Sequence, residues 1–427
     1  VKPQSAVALL FFSISLQVTQ PQLVWSASGN YNSILIGDQA AGMGGAATAM
    51  TEDASGMSWY NPAALALLPG QSFSASVGVY KKYDTVYSND TDIVAAGFRS
   101  NQGFFRAIPS SSTSVLRPKQ IPWLEDWTLA LSIVVPTYDS YKGNVVDTLT
   151  DTSSLTIVDE SLWVGGSVSK IVSDQSSIGM TAYYTARSFT RSVAERTYDP
   201  TDATKFRIFT EEVAYTQNAI VAVFGYHRKM TANWNFGMSV RPRSLKVAGK
   251  GIFAQNDIEN GLVAPPKVFS DLEANPMIPA RVNIGFAFVK PESYSIAWDI
   301  NFYEGFRFND LSRLDISEII EYRAIANVSV GMEYTWDTWL KFRAGLFSNL
   351  AATPKPNPLT AKSQGDHVDQ AGFSANAAFI TGPLAFTFGG YYTGGRGQSV
   401  QRVNHQYQVM PKVHNVFTML IGTSYYF

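Results

Sequence analysis

Apolar and polar residues alternate with a period of two along most of this chain. In Ala326–Trp336, Val328, Val330, Met332, Tyr334 and Trp336 fall on one face, and Ser329, Gly331, Glu333 and Thr335 on the other. Ser293–Tyr303 sets Tyr294, Ile296, Trp298, Ile300 and Phe302 against Ser295, Ala297, Asp299 and Asn301. Trp234–Val240 and the final segment Asn415–Phe427 behave the same way. A period of two is the signature of a strand with unlike faces, and about fourteen such segments follow Gln71.

A soluble sandwich also alternates, but its inward residues are large. Here the apolar faces carry the bulk and the opposite faces are small and polar. The connections also keep a rhythm. Tight turns are predicted near 173–176, 230–233, 291–292, 337–338 and 382–383, and long polar loops near 137–160, 190–216, 246–278, 305–324, 350–369 and 394–414. Short turns at one end, long loops at the other and an even strand number predict an all-β transmembrane barrel of the bacterial outer membrane, with about 14 antiparallel strands. Trp127, Trp234, Tyr294, Trp336, Trp339 and Phe427 gather on the tight-turn side, as an interfacial aromatic girdle would.

Opposed residues of an antiparallel pair share a face. A three-residue turn at Trp336–Thr338 sets Tyr334 opposite Leu340 and Glu333 opposite Lys341. A two-residue turn at Gly382-Pro383 sets Phe379 opposite Phe386 and Ala377 opposite Phe388. The rhythm breaks once. Asp92–Arg99 reads as a strand, yet the next clear one starts at Trp127. The second strand is therefore expected around Ile108–Arg117, with Pro118–Asp126 as its turn. Asp92–Arg99 would be its upper extension or part of the outer loop. Pro109 withholds a ladder donor there, which marks this place for a lateral gap.

One stretch has no place in a wall. Gly37–Leu68 is rich in Gly and Ala, and Gly42, Gly44 and Gly45 oppose the helix that Ala46–Met50 would otherwise form. Residues 27–70 are expected to plug the lumen of a barrel formed by 71–427. Residues 1–26, with Lys2, an apolar run at Ala6–Leu16 and Val24 and Ser26 before the break, have the layout of a signal peptide.

Composition narrows the chemistry. Charged residues are only 16%, aromatics 13%, and the net charge is −1, which gives no field for nucleic acid. Cysteine is absent, so no disulfide framework or thiolate metal site exists. The four histidines, His227, His367, His405 and His414, show no metal spacing and no local Ser–His motif, so neither a metal, a cofactor nor an enzyme is expected.

The plug segment resembles the N-terminal hatch of the FadL-type outer-membrane transporters of long-chain fatty acids and aromatic hydrocarbons. The matching residues are Gly42-Met43-Gly44-Gly45-Ala46, then Thr51-Glu52-Asp53-Ala54-Ser55, then Asn61-Pro62-Ala63. Ile108-Pro109-Ser110 and Val135-Pro136-Thr137 are similar to proline-bearing strand segments of that family. The resemblance implies a fourteen-stranded barrel with a lumenal hatch, passive transport of hydrophobic small molecules and lateral release through a wall gap. A plugged barrel of type IX secretion, carrying protein cargo, shares the same hatch pattern and stays as the alternative. An unpaired ligand carboxylate costs several kcal/mol to bury, so an inward cation is expected: Arg241, Arg243 or Arg343, with Lys341 engaged by Glu333. Asp53 and Asn61 are expected to hold the hatch in shape. Ile121, Leu124 and Leu65–Leu68 are possible apolar lining. The expected partners are outer-membrane lipid, a hydrophobic small molecule, and the barrel-assembly machinery through Phe427.

Overall fold

The alternating segments become strands of a closed antiparallel barrel in a computed structural model that describes residues 29–52, 54–87, 99–147, 150–199, 201–312, 319–359, 364–403 and 406–427. The expected signal peptide, Asp53 and all of Asp92–Arg99 except Arg99 lie outside the described residues. In chain order the strands are β1 (Ser72–Tyr87), β2 (Arg99–Leu116), β3 (Trp127–Asp147), β4 (Asp151–Ser173), β5 (Ser176–Asp199), β6 (Asp202–Lys229) and β7 (Trp234–Arg241). Then come β8 (Leu245–Glu259), β9 (Leu262–Val263), β10 (Lys267–Glu273), β11 (Arg281–Lys290), β12 (Tyr294–Tyr303), β13 (Phe306–Asn309) and β14 (Ile319–Tyr322). The last are β15 (Ile325–Asp337), β16 (Leu340–Asn349), β17 (His367–Thr381), β18 (Leu384–Val403) and β19 (Gln406–Tyr426).

Fourteen of them form the wall. Strands β1 to β7 pair in sequence, β7 pairs with β11, β12 with β15, and β1 closes the ring on β19. Strands β8 to β10 extend the β5–β6 sheet outward, and β13–β14 is a separate hairpin at the same end. The faces fall as the alternation predicts. Val328, Val330, Met332 and Tyr334 lie outside, while Ser329 and Glu333 are buried in the lumen. A closed ring leaves no unpaired edge in lipid, and this exterior is the apolar band of a membrane-spanning barrel.

Three expectations change in detail. The segments 137–160, 190–216 and 394–414 are not long loops. They are hairpin extensions in which β3 to β6, β18 and β19 run on past the apolar band. Polar strands persist there because both faces carry Thr, Tyr and Val, which suit a pleated surface. The connection expected as a loop at 305–324 carries the paired strands β13 and β14, with 313–318 outside the described residues. The β15–β16 turn is also tighter than expected. The turn is Thr338-Trp339, and with a one-residue irregularity between Thr335 and Asp337 the register ends two residues from the expected one, so Tyr334 opposes Phe342 and Glu333 opposes Arg343. The Gly382-Pro383 hairpin has the expected partners, Phe379 with Phe386 and Ala377 with Phe388.

The second strand carries the expected Pro109. Strands β2 and β3 pair only from Ser111 with Val134 to Leu116 with Leu129. Above that, β2 keeps β1 and β3 keeps β4, and no ladder between β2 and β3 is recorded among the described residues. Pro109 stands on one side of the divergence and Pro136 on the other. Neither has an N–H to offer across it.

Candidate functional site: a plugged lumen with an aromatic cavity

The hatch is two short helices, α1 (Asp38–Gly42) and α2 (Ala54–Tyr60), followed by a 3-10 turn at Pro62–Leu67. Gly44 and Gly45 have φ of 67° and 83°, which a side chain would strain, and a Cβ on Gly42 would overlap the Asn376 carboxamide. Asn61 caps the 3-10 turn by accepting from Ala63 N at 3.2 Å, with Pro62 in the first turn.

The wall receives the hatch on cross-strand glycine pairs. Gly179 opposes Gly225, Gly237 opposes Gly285, and Gly331 opposes Gly345. A Cβ at these positions would meet Pro62 and Asn61, then Thr48, then Met43. Hatch backbone thus lies against wall backbone, and polar side chains fasten it. Asp299 accepts from Ala47 N and Thr48 N at 2.9 Å and from Thr48 Oγ1 at 2.7 Å. Asn376 donates to Asp38 O at 2.7 Å, Thr387 to Asp38 Oδ2 at 2.9 Å, and Ser239 to Tyr60 O at 2.6 Å.

Between the hatch and the outer hairpins lies a cavity of about 140 Å³. Aromatic rings and polar side chains share its walls: Tyr31 of the hatch stacks on Tyr303 with centroids 4.5 Å apart, Trp59 meets Trp163 edge-on at 5.0 Å, and Asp139, Asp159, Arg187 and Gln217 line it too. Phe306, Phe308 and Tyr322 of the β13–β14 hairpin cover it. On one flank it reaches Pro136, Thr137 and Tyr138, at the parting of β2 and β3. There Ile108, Val135 and Tyr138 form a buried cluster, and Ile34 of the hatch packs on it from inside. A second cavity of about 100 Å³ lies beyond Asn30, Asp139 and Asp159, which border both.

The charged residues separate by role. Arg187 and Asp159 form a two-pronged pair at 2.8 Å and need nothing further. Arg241 lines the cavity, donates through Nη2 to Pro279 O at 3.3 Å, and lies 5.5 Å from the Trp59 centroid. Arg243 lies at the outer rim, paired with Glu304 and half exposed. Arg343 is on the other side of the hatch, where Glu333 holds it at 2.6 Å and also takes Gln39 and Lys341. Lys341 further bonds Glu52 at 3.0 Å. Of the three expected arginines, only Arg241 borders the cavity. Leu65 and Leu68 pack with Val115 and Ala130 at the hatch base, and Ile121 is exposed at the turn, so neither group lines it.

Arg281 was not among the expected residues. It opposes Arg241 across the β7–β11 ladder, donates to Trp59 O at 2.7 Å and lies 4.8 Å from the same ring. Its inward position was legible only by extending the Arg241 register across the β8–β10 insertion.

No family model and no curated protein matches the chain. Among solved structures, it is similar to a Pseudomonas aeruginosa FadL homologue at 15% identity and a TM-score of 0.69, over 93% of this chain and 100% of that one. The P. putida toluene transporter TodX matches at 14% identity and 0.65, over 92% and 98%. The Ralstonia pickettii toluene transporter TbuX matches at 15% and 0.55, over 92% and 98%. At this identity the likeness concerns architecture, and the chain has the FadL-type fold of a hatch-plugged outer-membrane barrel.

Proposed function

We propose that the protein carries hydrophobic small molecules passively across the bacterial outer membrane and releases them sideways through the wall between β2 and β3. The observation that carries this reading is the aromatic cavity running from beneath the outer hairpins to Pro136–Tyr138, where the ladder ends. An apolar molecule leaving there passes into lipid and never gives back the free energy of leaving water, about 25 cal/mol per Å². The shared fold with two toluene transporters agrees with this reading. Cells with and without the protein are compared for uptake of radiolabelled toluene, benzoate and hexadecanoate. Faster uptake of at least one supports it, and equal uptake of all three refutes it.

A further inference from the structure

We infer that the cavity takes a compact aromatic monocarboxylate, with Arg241 at the cavity wall as the cationic end of the site and the charge of Arg281, directly opposite it on the neighbouring strand, adding to the positive field. The inference rests on the transport reading and narrows its substrate class.

Three observations lead there. The first is size. A cavity near 150 Å³ has the size for a benzene ring, and this one, at about 140 Å³, matches a single ring better than a long alkyl chain. Extension into the second cavity passes Asn30, Asp139 and Asp159, which border both, and an alkyl tail there would desolvate polar groups without replacing their hydrogen bonds.

The second is shape. Tyr31, Tyr303, Trp59 and Trp163 present ring faces and edges, and a planar ring can stack among them where a flexible chain gains only area.

The third is charge. Arg241 and Arg281 are 4% and 3% exposed, directly opposed, and without a carboxylate partner among the described residues. Each guanidinium has five donors, yet one backbone carbonyl each is the recorded acceptor, and both Nε atoms have none. Of the nearby carboxylates, Asp159 is paired with Arg187, and Asp299 is bonded to Ala47 and Thr48 through Oδ2; its Oδ1 has no hydrogen-bond partner and feels the Arg281 charge without forming an ion pair. Asp139 borders Lys81 and Tyr83 at the far side. Two opposed buried like charges without an ion-pair partner among the described residues are costly, and a ligand carboxylate bonded to Arg241 offsets part of that cost.

The test uses the purified full-length protein in lipid nanodiscs, with calorimetric titration of benzoate, benzamide, toluene and hexadecanoate. Benzoate is expected to bind at least tenfold tighter than benzamide, its neutral isostere, and tighter than hexadecanoate. Arg241→Gln should weaken benzoate at least tenfold and leave toluene within twofold, and Arg241→Lys should restore part of the loss. Equal binding of benzoate and benzamide in the unaltered protein overturns the inference without any variant having to fold. So does tighter binding of hexadecanoate or toluene than of benzoate, while leaving the transport reading in place. Binding of none of the four overturns both.

Discussion

Gly225 of β6 faces Asn61 of the hatch so closely that a methyl group on it would overlap the Asn61 carboxamide oxygen and stand 2.8 Å from Ala63 N. Asn61 has no room to yield, because its Nδ2 donates to Thr48 O at 2.8 Å and to Tyr226 O at 3.0 Å. Gly225→Ala is therefore expected to destabilise the plugged barrel by about 1–3 kcal/mol. The readout is the temperature at which the protein loses its folded migration in a detergent gel. Gly166→Ala, whose Cβ would meet only Ala130 O at 4.0 Å, should leave that temperature unchanged.

Asp299 satisfies three hatch donors with one carboxylate oxygen. Truncation to Ala leaves Ala47 N, Thr48 N and Thr48 Oγ1 buried without an acceptor, and hydrogen bonds to a charged group are worth about 1.5–3 kcal/mol each. Asp299→Ala should loosen the hatch and raise the ion conductance of single barrels in planar bilayers, with Asp299→Asn intermediate. Unchanged conductance in both would show that the glycine-lined contacts suffice.

Ile108 of β2 and Val135 of β3 belong to one packed cluster at the parting of the two strands. The chain has no cysteine of its own, so an Ile108→Cys/Val135→Cys pair can be oxidised cleanly. Cells carrying the oxidised pair should take up labelled toluene at the rate of cells lacking the protein, and a reductant should restore uptake. Full uptake with the bond verified by mass spectrometry would place the exit elsewhere.

Asp310, in the outer connection after β13, is buried, and burial pushes its carboxyl up to about 7 against the opposing pull of the Leu311 N–H and the Arg187 charge. A group raised in the folded state contributes stability that is complete below its ordinary value of 3.8 and is lost as pH rises through 7. Leu311 anchors this segment in a cluster with Phe189, Val213 and Phe253. Hydrogen exchange of the Phe306–Leu311 amides, corrected for intrinsic rate, should show less protection at pH 8 than at pH 6. Asp310→Asn should abolish that difference.

The wall was legible because one repeating constraint governs it, apolar outside and small inside. The Gly382-Pro383 hairpin could be placed residue by residue, since Gly382, at φ 57°, fixes the turn. The Trp336–Thr338 turn could not, because the turn lies at Thr338-Trp339 with an irregularity beside Trp336, and the net shift of two keeps every face unchanged. Polar outer segments looked like loops because strands in water do not need unlike faces. Arg241 was found by parity within its own strand. Arg281 is set only by the ladder that joins β7 to β11 across forty residues of insertion, and the partners of Arg343 and Arg243 depend on Glu333 and Glu304 lying near in space.

Asp38, near the start of the described chain, is bonded by Asn376 and Thr387, 338 and 349 positions later, and Gly422 of the last strand lies against it. The plug thus finds its final partners only when the end of the chain arrives. Until then Asp38 and Gln39 lack the wall partners that bond them in the finished barrel. Contacts of such long sequence separation form slowly. Seating of the hatch and completion of the ring therefore draw on the same last strands: the N-terminal segment reaches its bonded place only where β17, β18 and β19 are already present to hold it.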